Sequence, residues 1–327
     1  MGKILEVQDL RTHFFTRAGV APAVDGVSFD IGRGEMLGLV GESGSGKSVT
    51  GFSILGLIDP PGRIVGGRIL YKGRDLAEFS EREWQRIRGR HIAMIFQDPM
   101  MTLNPVLKIA TQMIEAVQAH EDISREAARE RCRKALARVG IPSPDERLEA
   151  YPHQFSGGMR QRVAIAIALL HDPDLIIADE PTTALDVTIQ SQILAEVQRL
   201  TEETGTAMIW ITHDLSVVSS LVDKLAVMYA GKVVEQGPAP QVLGRPMHPY
   251  TAGLIASIPS RNRRGADLSQ IPGMTPSILA LPQGCAFRPR CAHATDACRQ
   301  PQEMRELRPG QSARCIHPLG LEAEATP

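Results

Sequence analysis

Short apolar runs alternate with longer stretches of helical periodicity between residues 5 and 236. The runs at 36–40, 175–179 and 207–212 are five or six residues long and give way to polar or glycine-rich segments, as buried strands do. A helical stretch follows each run, and the first of these covers residues 49–57. This recurrence of strand and helix favours an α/β fold with a buried sheet.

Two regions depart from that alternation. Residues 99–152 are helical in pattern and predict an insertion, whereas prolines beyond residue 244 occur too often for any long element. The sequence therefore predicts a first domain at 1–245, with a helical subdomain at about 99–160. A small, loop-rich extension is predicted at 246–327.

Composition excludes several classes of protein. The 327 residues are 43% hydrophobic, which allows a sizeable core, and the net charge of -1 provides no bulk field for nucleic acid. The longest apolar run, at 163–170, is far shorter than the roughly 18 residues that span a bilayer. From the net charge we expect no nucleic-acid partner. The first residues lack the pattern of a signal peptide, so we expect a cytoplasmic location.

Residues 41–48 read GESGSGKS and match the phosphate-loop pattern G-x-x-x-x-G-K-[ST] between a predicted strand and a predicted helix. The glycines let successive backbone N–H groups face the phosphates of ATP or GTP. Lys47 would reach the β- and γ-phosphate oxygens, and Ser48 would bind Mg²⁺. The alternative is a glycine-rich turn without a ligand. The predicted phosphate-binding residues are Gly41, Ser43, Gly44, Ser45, Gly46, Lys47, Ser48 and Val49.

Asp179 and Glu180 follow directly from the apolar run at 175–179. Because Asp179 ends a predicted strand, its carboxylate suits a second ligand for Mg²⁺. Glu180 is the candidate catalytic residue, since a carboxylate beside the metal aspartate can polarise a water for attack on the γ-phosphate. In the absence of a phosphate loop, the two carboxylates would be interpreted as capping a turn.

A serine and two glycines, Ser156, Gly157 and Gly158, precede a predicted helix that starts near Arg160. The segment alone indicates a capped helix start. Its position about twenty residues before the Asp-Glu pair, however, resembles the signature of ATP-binding cassette (ABC) ATPases. The resemblance implies that these three residues contact ATP held by the phosphate loop of another subunit. The flanking Phe155 and Met159 depart from the general signature and look like a subgroup form.

The resemblance extends to single residues whose roles it implies. Gln97 matches the residue that touches Mg²⁺ or water, His213 the switch histidine at the γ-phosphate, and Asp186 the loop that crosses the dimer interface. Phe14 and Phe15 are candidates for stacking on adenine. Each of these side chains taken alone would be interpreted as an ordinary surface or core group.

Segments 96–105, 151–162 and 245–251 are similar to the ATP-binding subunits of dipeptide, oligopeptide and nickel importers. That resemblance implies a P-loop NTPase with a RecA-like core, a β-rich N-terminal part and a helical subdomain. It also implies ATP hydrolysis at the cytoplasmic face of a membrane. The implied partners are a paralogous ATPase in a heterodimer, two permease subunits and an extracytoplasmic solute-binding protein.

The transported solute stays open at this point. Peptide importers, nickel importers and glutathione importers share these motifs, and solute selection belongs to other chains. A soluble ABC ATPase of translation or DNA repair is a further alternative. Such proteins usually carry two cassettes or a long coiled coil, and neither pattern occurs in this sequence. A metal-sensing or scaffold protein is the third class.

Four cysteines, Cys285, Cys291, Cys298 and Cys315, lie in the predicted extension with the spacing C-x5-C-x6-C-x16-C. The segment is too short and proline-rich to build a core, so a metal ion held by thiolates would stabilise it. Zinc and an iron–sulfur cluster both accept four cysteines; reduced thiols or a disulfide are the alternatives. The resemblance to peptide-importer ATPases implies a [4Fe-4S] cluster. Cys132 is expected to be a small buried apolar residue.

Overall fold

The computed structural model describes residues 2–182, 187–258 and 270–321. The chain forms two compact units, and neither is continuous in sequence. The first unit comprises Met1–Ile4, Gly32–Glu35 and Glu78–Trp210, and the second comprises Leu5–Ile31, Met36–Ala77 and Ile211–Pro327. The domain division at residue 245 remains a prediction.

The strands of the described residues are short except for the first two and the fourth. They are β1 (Lys3–Thr16), β2 (Gly19–Gly32), β3 (Met36–Val40), β4 (Gly62–Tyr71), β5 (Arg74–Asp75), β6 (Ile92–Ile95), β7 (Leu175–Asp179), β8 (Ala207–Thr212), β9 (Lys224–Tyr229), β10 (Lys232–Pro238), β11 (Arg305–Arg308) and β12 (Gln311–Ala313).

The α-helices of the described residues range from 4 to 18 residues. They are α1 (Lys47–Ile54), α2 (Glu81–Ile87), α3 (Ile109–Gln118), α4 (Arg125–Arg138), α5 (Pro144–Leu148), α6 (Gly157–Ala168), α7 (Val187–Thr204), α8 (Leu215–Val218), α9 (Ala239–Gly244) and α10 (Pro249–Ala256). Among them, none combines the length and hydropathy needed to cross a bilayer.

The second unit contains β-structure of two kinds. Strands β2, β1, β4 and β5 are neighbours in that order, and β4 runs antiparallel to both β1 and β5. Strand β3 pairs in parallel with β9, which continues through β10 and β12 to β11 by antiparallel pairing. All five residues of β3 are buried, as expected for a strand covered on both faces.

The pairing of β12 with β10 ties the C-terminal extension to the rest of the second unit. Glu235 on β10 lies opposite Ala313, and Gln236 lies opposite Ser312. The Glu235 carboxylate also accepts hydrogen bonds of 2.8 Å from the backbone N–H groups of Met247 and His248. The extension is therefore fixed by backbone pairing and by a buried carboxylate.

The first unit has parallel strands covered by helices. Strands β6 and β7 are parallel, from Ile92 opposite Leu175 to Ile95 opposite Ala178, and β7 lies between β6 and β8. Helices α3, α4 and α5 lie in the predicted insertion and bury apolar residues such as Met113, Leu136 and Leu148. Cys132 on α4 is fully buried, as predicted, and burial raises the pKa of its thiol to about 11.

The three predicted apolar strands are confirmed with their predicted ends at 36–40, 175–179 and 207–212. Helix starts differ by two or three residues. Helix α1 begins at Lys47 instead of 49, because Gly46 in a left-handed conformation forms its N-cap. Helix α6 begins at Gly157 rather than near Arg160, since the Ser156 hydroxyl accepts a hydrogen bond from the backbone N–H of Met159.

Candidate functional site: a phosphate loop and a glutamine–glutamate pair

The phosphate loop, residues 41–48, joins the end of β3 to the first turn of α1. Gly41 and Gly46 have φ values of 153° and 101°, and neither position has room for a side chain. A Cβ atom at Gly41 would lie 2.2 Å from the Met228 carbonyl oxygen, and one at Gly46 would lie 2.3 Å from the Ala23 carbonyl oxygen. The loop thus passes directly against the backbone of β2 and β9.

Polar contacts inside the loop keep it curled. Lys47 is buried, and its Nζ donates hydrogen bonds to the carbonyl oxygens of Gly41 at 2.9 Å and Glu42 at 3.0 Å. The carbonyl of Ser45 accepts the N–H of Gly231 at 2.9 Å. The buried Ser45 hydroxyl has no hydrogen-bond partner among the described residues. This geometry is suited to a ligand with several acceptor oxygens, such as a polyphosphate.

The remaining loop residues differ in exposure. Ser43 and Gly44 are exposed, and Gly44 has a φ of 78° with open space where a side chain would lie. Ser48 and Val49 are half-buried in the first turn of α1. The structure therefore brings all the predicted phosphate-binding residues into one loop and one helical turn of the second unit.

In the first unit, the end of β7 places two carboxylates in different surroundings. Asp179 is buried as the last residue of the strand, and Glu180 is half-buried with a left-handed φ of 46°. The Nε2 of Gln97, just after β6, donates a hydrogen bond of 3.2 Å to Glu180 Oε2. Parallel pairing of β6 with β7 thus brings Gln97 and Glu180 together.

The signature residues form the start of helix α6. Ser156 is its N-cap, and both Ser156 and Gly157 are exposed, while Gly158 is half-buried. An exposed helix start with unpaired backbone N–H groups is a common anion-binding arrangement. The geometry is compatible with the contact to a phosphate that the resemblance implies.

The remaining predicted site residues, where the structure describes them, lie on or directly after two different strands. His213 is exposed directly after β8. Phe14 is half-buried on β1, and the ring of the exposed Phe15 is covered by the Arg63 guanidinium at 4.1 Å. Asp186 lies outside the described residues. Stacking of Phe14 or Phe15 on adenine stays a prediction.

The four cysteines of the extension line one cavity, together with His248 and Arg288. None of the four is in a disulfide bond. Burial raises the pKa of Cys285 and Cys291, and it raises the pKa of Cys315 to about 11. Even so, no three His, Cys, Asp or Glu side chains in the described ranges are arranged to hold a metal ion. The prediction of an iron–sulfur cluster or zinc is therefore not supported by ligand geometry.

Two buried nitrogen atoms of that cavity's lining lack partners within the described residues: His248 Nε2 and Arg288 Nη1. His248 Nδ1 accepts the N–H of Tyr250 at 3.1 Å, so the neutral imidazole carries its proton on Nε2. Burial lowers the pKa of His248 to about 3, which keeps the ring neutral. The lining thus combines four thiols with two unsatisfied donors.

Sequence analysis missed three residues at the phosphate loop: Glu42, Tyr250 and Arg290. The Glu42 carboxylate pairs with Arg290, and its backbone N–H donates to the Tyr250 hydroxyl. Glu42 occupies a position that the phosphate-loop pattern leaves unspecified. Arg290 belongs to no motif of the sequence, so no pattern indicated the contact.

Comparison with known families assigns both parts of the chain. The model of the family described as "ABC transporter" matches residues 24–183. A second model, described as "Oligopeptide/dipeptide transporter, C-terminal region", matches residues 234–298. The first range contains the phosphate loop, Gln97, the signature and Glu180, while the second contains three of the four extension cysteines.

Curated relatives are similar over nearly the whole chain. The dipeptide transport ATP-binding protein DppD of Bacillus subtilis is 49% identical over 315 residues, covering 96% of this chain and 92% of the relative. The oligopeptide transport ATP-binding protein OppD of Salmonella typhimurium is 46% identical over 316 residues, covering 97% of this chain and 94% of the relative.

Solved structures show a related cassette. The dimeric ATP-binding cassette MJ0796 bound to ADP and phosphate has a TM-score of 0.65 and 26% identity, covering 72% of this chain and 98% of that structure. CbiO1 of Clostridium perfringens, part of an ABC transporter complex, has a TM-score of 0.64 and 28% identity, covering 75% of this chain and 92% of that structure. These likenesses confirm the predicted α/β P-loop NTPase fold.

The phosphate loop provides a matched pair of glycine substitutions. Alanine at Gly46 and at Gly44 incurs similar left-handed strain, about 1–2 kcal/mol. Of these two positions, only Gly46 would bring the added Cβ atom against a backbone carbonyl. We expect Gly46→Ala to abolish measurable binding of Mg-ATP, and Gly44→Ala to weaken it by no more than about tenfold. Calorimetric titration measures both, and equal losses in the two variants would contradict the described loop packing.

Proposed function

The chain belongs to the family of ATP-binding subunits of dipeptide and oligopeptide ABC transporters, and we propose that its ATP hydrolysis drives peptide uptake across a cell membrane. The observation that carries this proposal is the presence of both regions in one chain: a cassette at 24–183 and a peptide-transporter C-terminal region at 234–298. A nickel or glutathione importer shares the cassette, but the relatives described above are named for peptides.

The proposed chemistry begins with recognition of the triphosphate. Lys47 neutralises charge on the β- and γ-phosphates, and the loop N–H groups donate hydrogen bonds to them. Ser48, Gln97 and Asp179 are the proposed ligands or water-mediated contacts of Mg²⁺. The position of Asp179 as the last residue of β7 supports this role, because ligand sites of such sheets lie at the carboxyl ends of the strands.

Glu180 is the proposed base that orients the attacking water. The hydrogen bond from Gln97 supports this assignment, since it fixes the Glu180 carboxylate directly after the end of β7. His213 is the proposed contact for the γ-phosphate. Release of that phosphate removes the contacts that hold the two ATPase subunits together, as in other γ-phosphate switches.

The partners follow from membership of the family. Ser156, Gly157 and Gly158 are proposed to contact ATP bound to a second ATPase subunit, and Asp186 to lie in the loop that crosses their interface. The second subunit is proposed to be a paralogue, which makes a heterodimer. Two permease subunits and an extracytoplasmic binding protein complete the importer. The chain then acts at the cytoplasmic face of the membrane, and a permease subunit contacts the helical insertion at 99–152.

A [4Fe-4S] cluster in the extension is a separate proposal. Cys285, Cys291, Cys298 and Cys315 would hold it, and it would link segments that contain little apolar core. The four thiols line one cavity but, among the described residues, do not form a metal-ligand group, so the proposal rests on the other polar groups of that cavity. The unsatisfied donors of His248 and Arg288 support it, because anionic thiolates are stabilised by hydrogen bonds and positive charge.

Replacing Glu180 by glutamine tests the hydrolytic proposal. We expect Glu180→Gln to bind Mg-ATP but to lose turnover by about 100-fold or more, because glutamine cannot accept a proton from water. Phosphate release and ATP binding are measured on the same preparation. Glu202→Gln, an exposed position on α7, is the matched control and should turn over normally. Wild-type turnover in Glu180→Gln would refute the assigned role.

Metal analysis of anaerobically purified protein tests the cluster. We expect iron in the unmodified chain and its loss in Cys285→Ser, because serine replaces one of four proposed thiolate ligands. Cys132→Ala is the control, since Cys132 is buried in helix α4 away from the extension cysteines in sequence. An unmodified chain that contains one zinc and no iron would reject the cluster.

A further inference from the structure

Glu42, the second residue of the phosphate loop, is held by three residues that lie far away in sequence. Tyr250, Thr275 and Arg290 follow it by 208, 233 and 248 positions. The backbone N–H of Glu42 donates to the Tyr250 hydroxyl at 2.9 Å, and the Thr275 hydroxyl donates to Glu42 Oε2 at 2.6 Å. All of these residues belong to the second unit.

Arg290 makes the strongest contact with Glu42. Its Nη1 and Nη2 donate to the two carboxylate oxygens at 2.7 and 3.0 Å, which is the bidentate geometry that gives short, directional ion pairs. The side chain of Arg290 is only 6% exposed, and its Nε donates to the Pro272 carbonyl oxygen at 2.8 Å. The guanidinium is therefore held by the Pro272 carbonyl as well as by the loop.

The contact continues from Glu42 to the phosphate-binding lysine. Lys47 Nζ donates to the carbonyl oxygen of Glu42 at 3.0 Å. Because that carbonyl and the clamped carboxylate belong to one residue, the orientation of the Glu42 peptide sets an acceptor for the ammonium group. Arg290, Glu42 and Lys47 form a continuous chain of charge-assisted hydrogen bonds.

The electrostatics agree with a permanent ion pair. Burial acts to raise the pKa of the Glu42 carboxyl, but the hydrogen bonds from Arg290 and Thr275 outweigh it, so the pKa is lowered. The carboxylate is thus charged at neutral pH. Removing one partner of such a half-buried pair leaves the other charge without its compensation.

We propose that Arg290 is a positioning residue for ATP binding, which acts through Glu42 to hold the phosphate loop and Lys47 in their binding geometry. The C-terminal extension is then a part of the nucleotide site and not only an appendage to it. This inference rests on the proposed role of the phosphate loop in binding ATP.

A double-mutant cycle tests the chain of contacts in the full-length protein. Arg290→Met, Glu42→Gln and the double variant are titrated with Mg-ATP by calorimetry. Loss of a charged hydrogen-bonded contact predicts a Kd about tenfold higher for Arg290→Met. Because both residues act through one interaction, the double variant should bind no more weakly than the weaker single variant. Independent roles would instead multiply the two losses, and that result would overturn the proposal.

Tyr250→Phe provides a second test in case Arg290→Met does not fold. The ring packing against Tyr229 and Phe287 is retained, and only the acceptor for the Glu42 N–H is lost. Loss of one neutral hydrogen bond predicts a Kd about threefold to tenfold higher.

Arg314→Met is the matched control. Arg314 is also a partly buried arginine of the extension, but it donates to the carbonyl oxygens of Val233 and Gln302 instead of to the loop. Its variant should bind Mg-ATP with the Kd of the unmodified chain. Weakened binding in Arg314→Met equal to that in Arg290→Met would show a general effect of the extension and overturn the proposal.

Lys47→Ala separates this inference from the proposed function. Normal Mg-ATP binding by Lys47→Ala would reject the phosphate-loop role itself, and the positioning role with it. Loss of binding in Lys47→Ala, combined with normal binding in both Arg290→Met and Tyr250→Phe, would overturn only the positioning role.

Discussion

The phosphate loop must pass so close to neighbouring backbone that two of its positions have no room for a Cβ atom. Gly41 lies against the carbonyl of Met228, and Gly46 lies against that of Ala23. This contact fixes where the first turn of α1 begins and where Lys47 lies. Every proposed interaction with the triphosphate depends on it, because the loop N–H groups converge only in that curled conformation.

Contacts from the extension act on the same loop. The phosphate-loop pattern specifies the glycines, the lysine and the serine, and it leaves Glu42 free to vary. In this chain Glu42 carries the ion pair with Arg290, and that pair lies beside the cysteine-bearing turn, since Arg290 precedes Cys291. Arg290 therefore connects the cysteine segment to the phosphate loop through a short series of hydrogen bonds.

The sequence predicts the strands well because continuous apolar runs with polar ends leave little choice of register or length. Strands β3, β7 and β8 have the predicted ends. Helix starts were less accurate, since the caps Gly46 and Ser156 extend α1 and α6 toward the N-terminus. The closeness of Gln97 to Glu180 follows from the parallel pairing of β6 with β7, which periodicity alone does not specify.

The contact between Arg290 and Glu42 spans 248 positions and belongs to no sequence pattern. The metal prediction rested on cysteine spacing and family likeness, and the described side chains do not form a metal-ligand group.

Amide hydrogen exchange at Glu42 tests most directly whether the extension holds the loop before ATP binds. The account predicts that, without nucleotide, the Glu42 N–H of the unmodified chain exchanges slowly, because it is bonded to the Tyr250 hydroxyl. It also predicts markedly faster exchange at this amide in Arg290→Met. Exchange at the unprotected rate in the unmodified chain, with slowing only after Mg-ATP is added, would contradict the account.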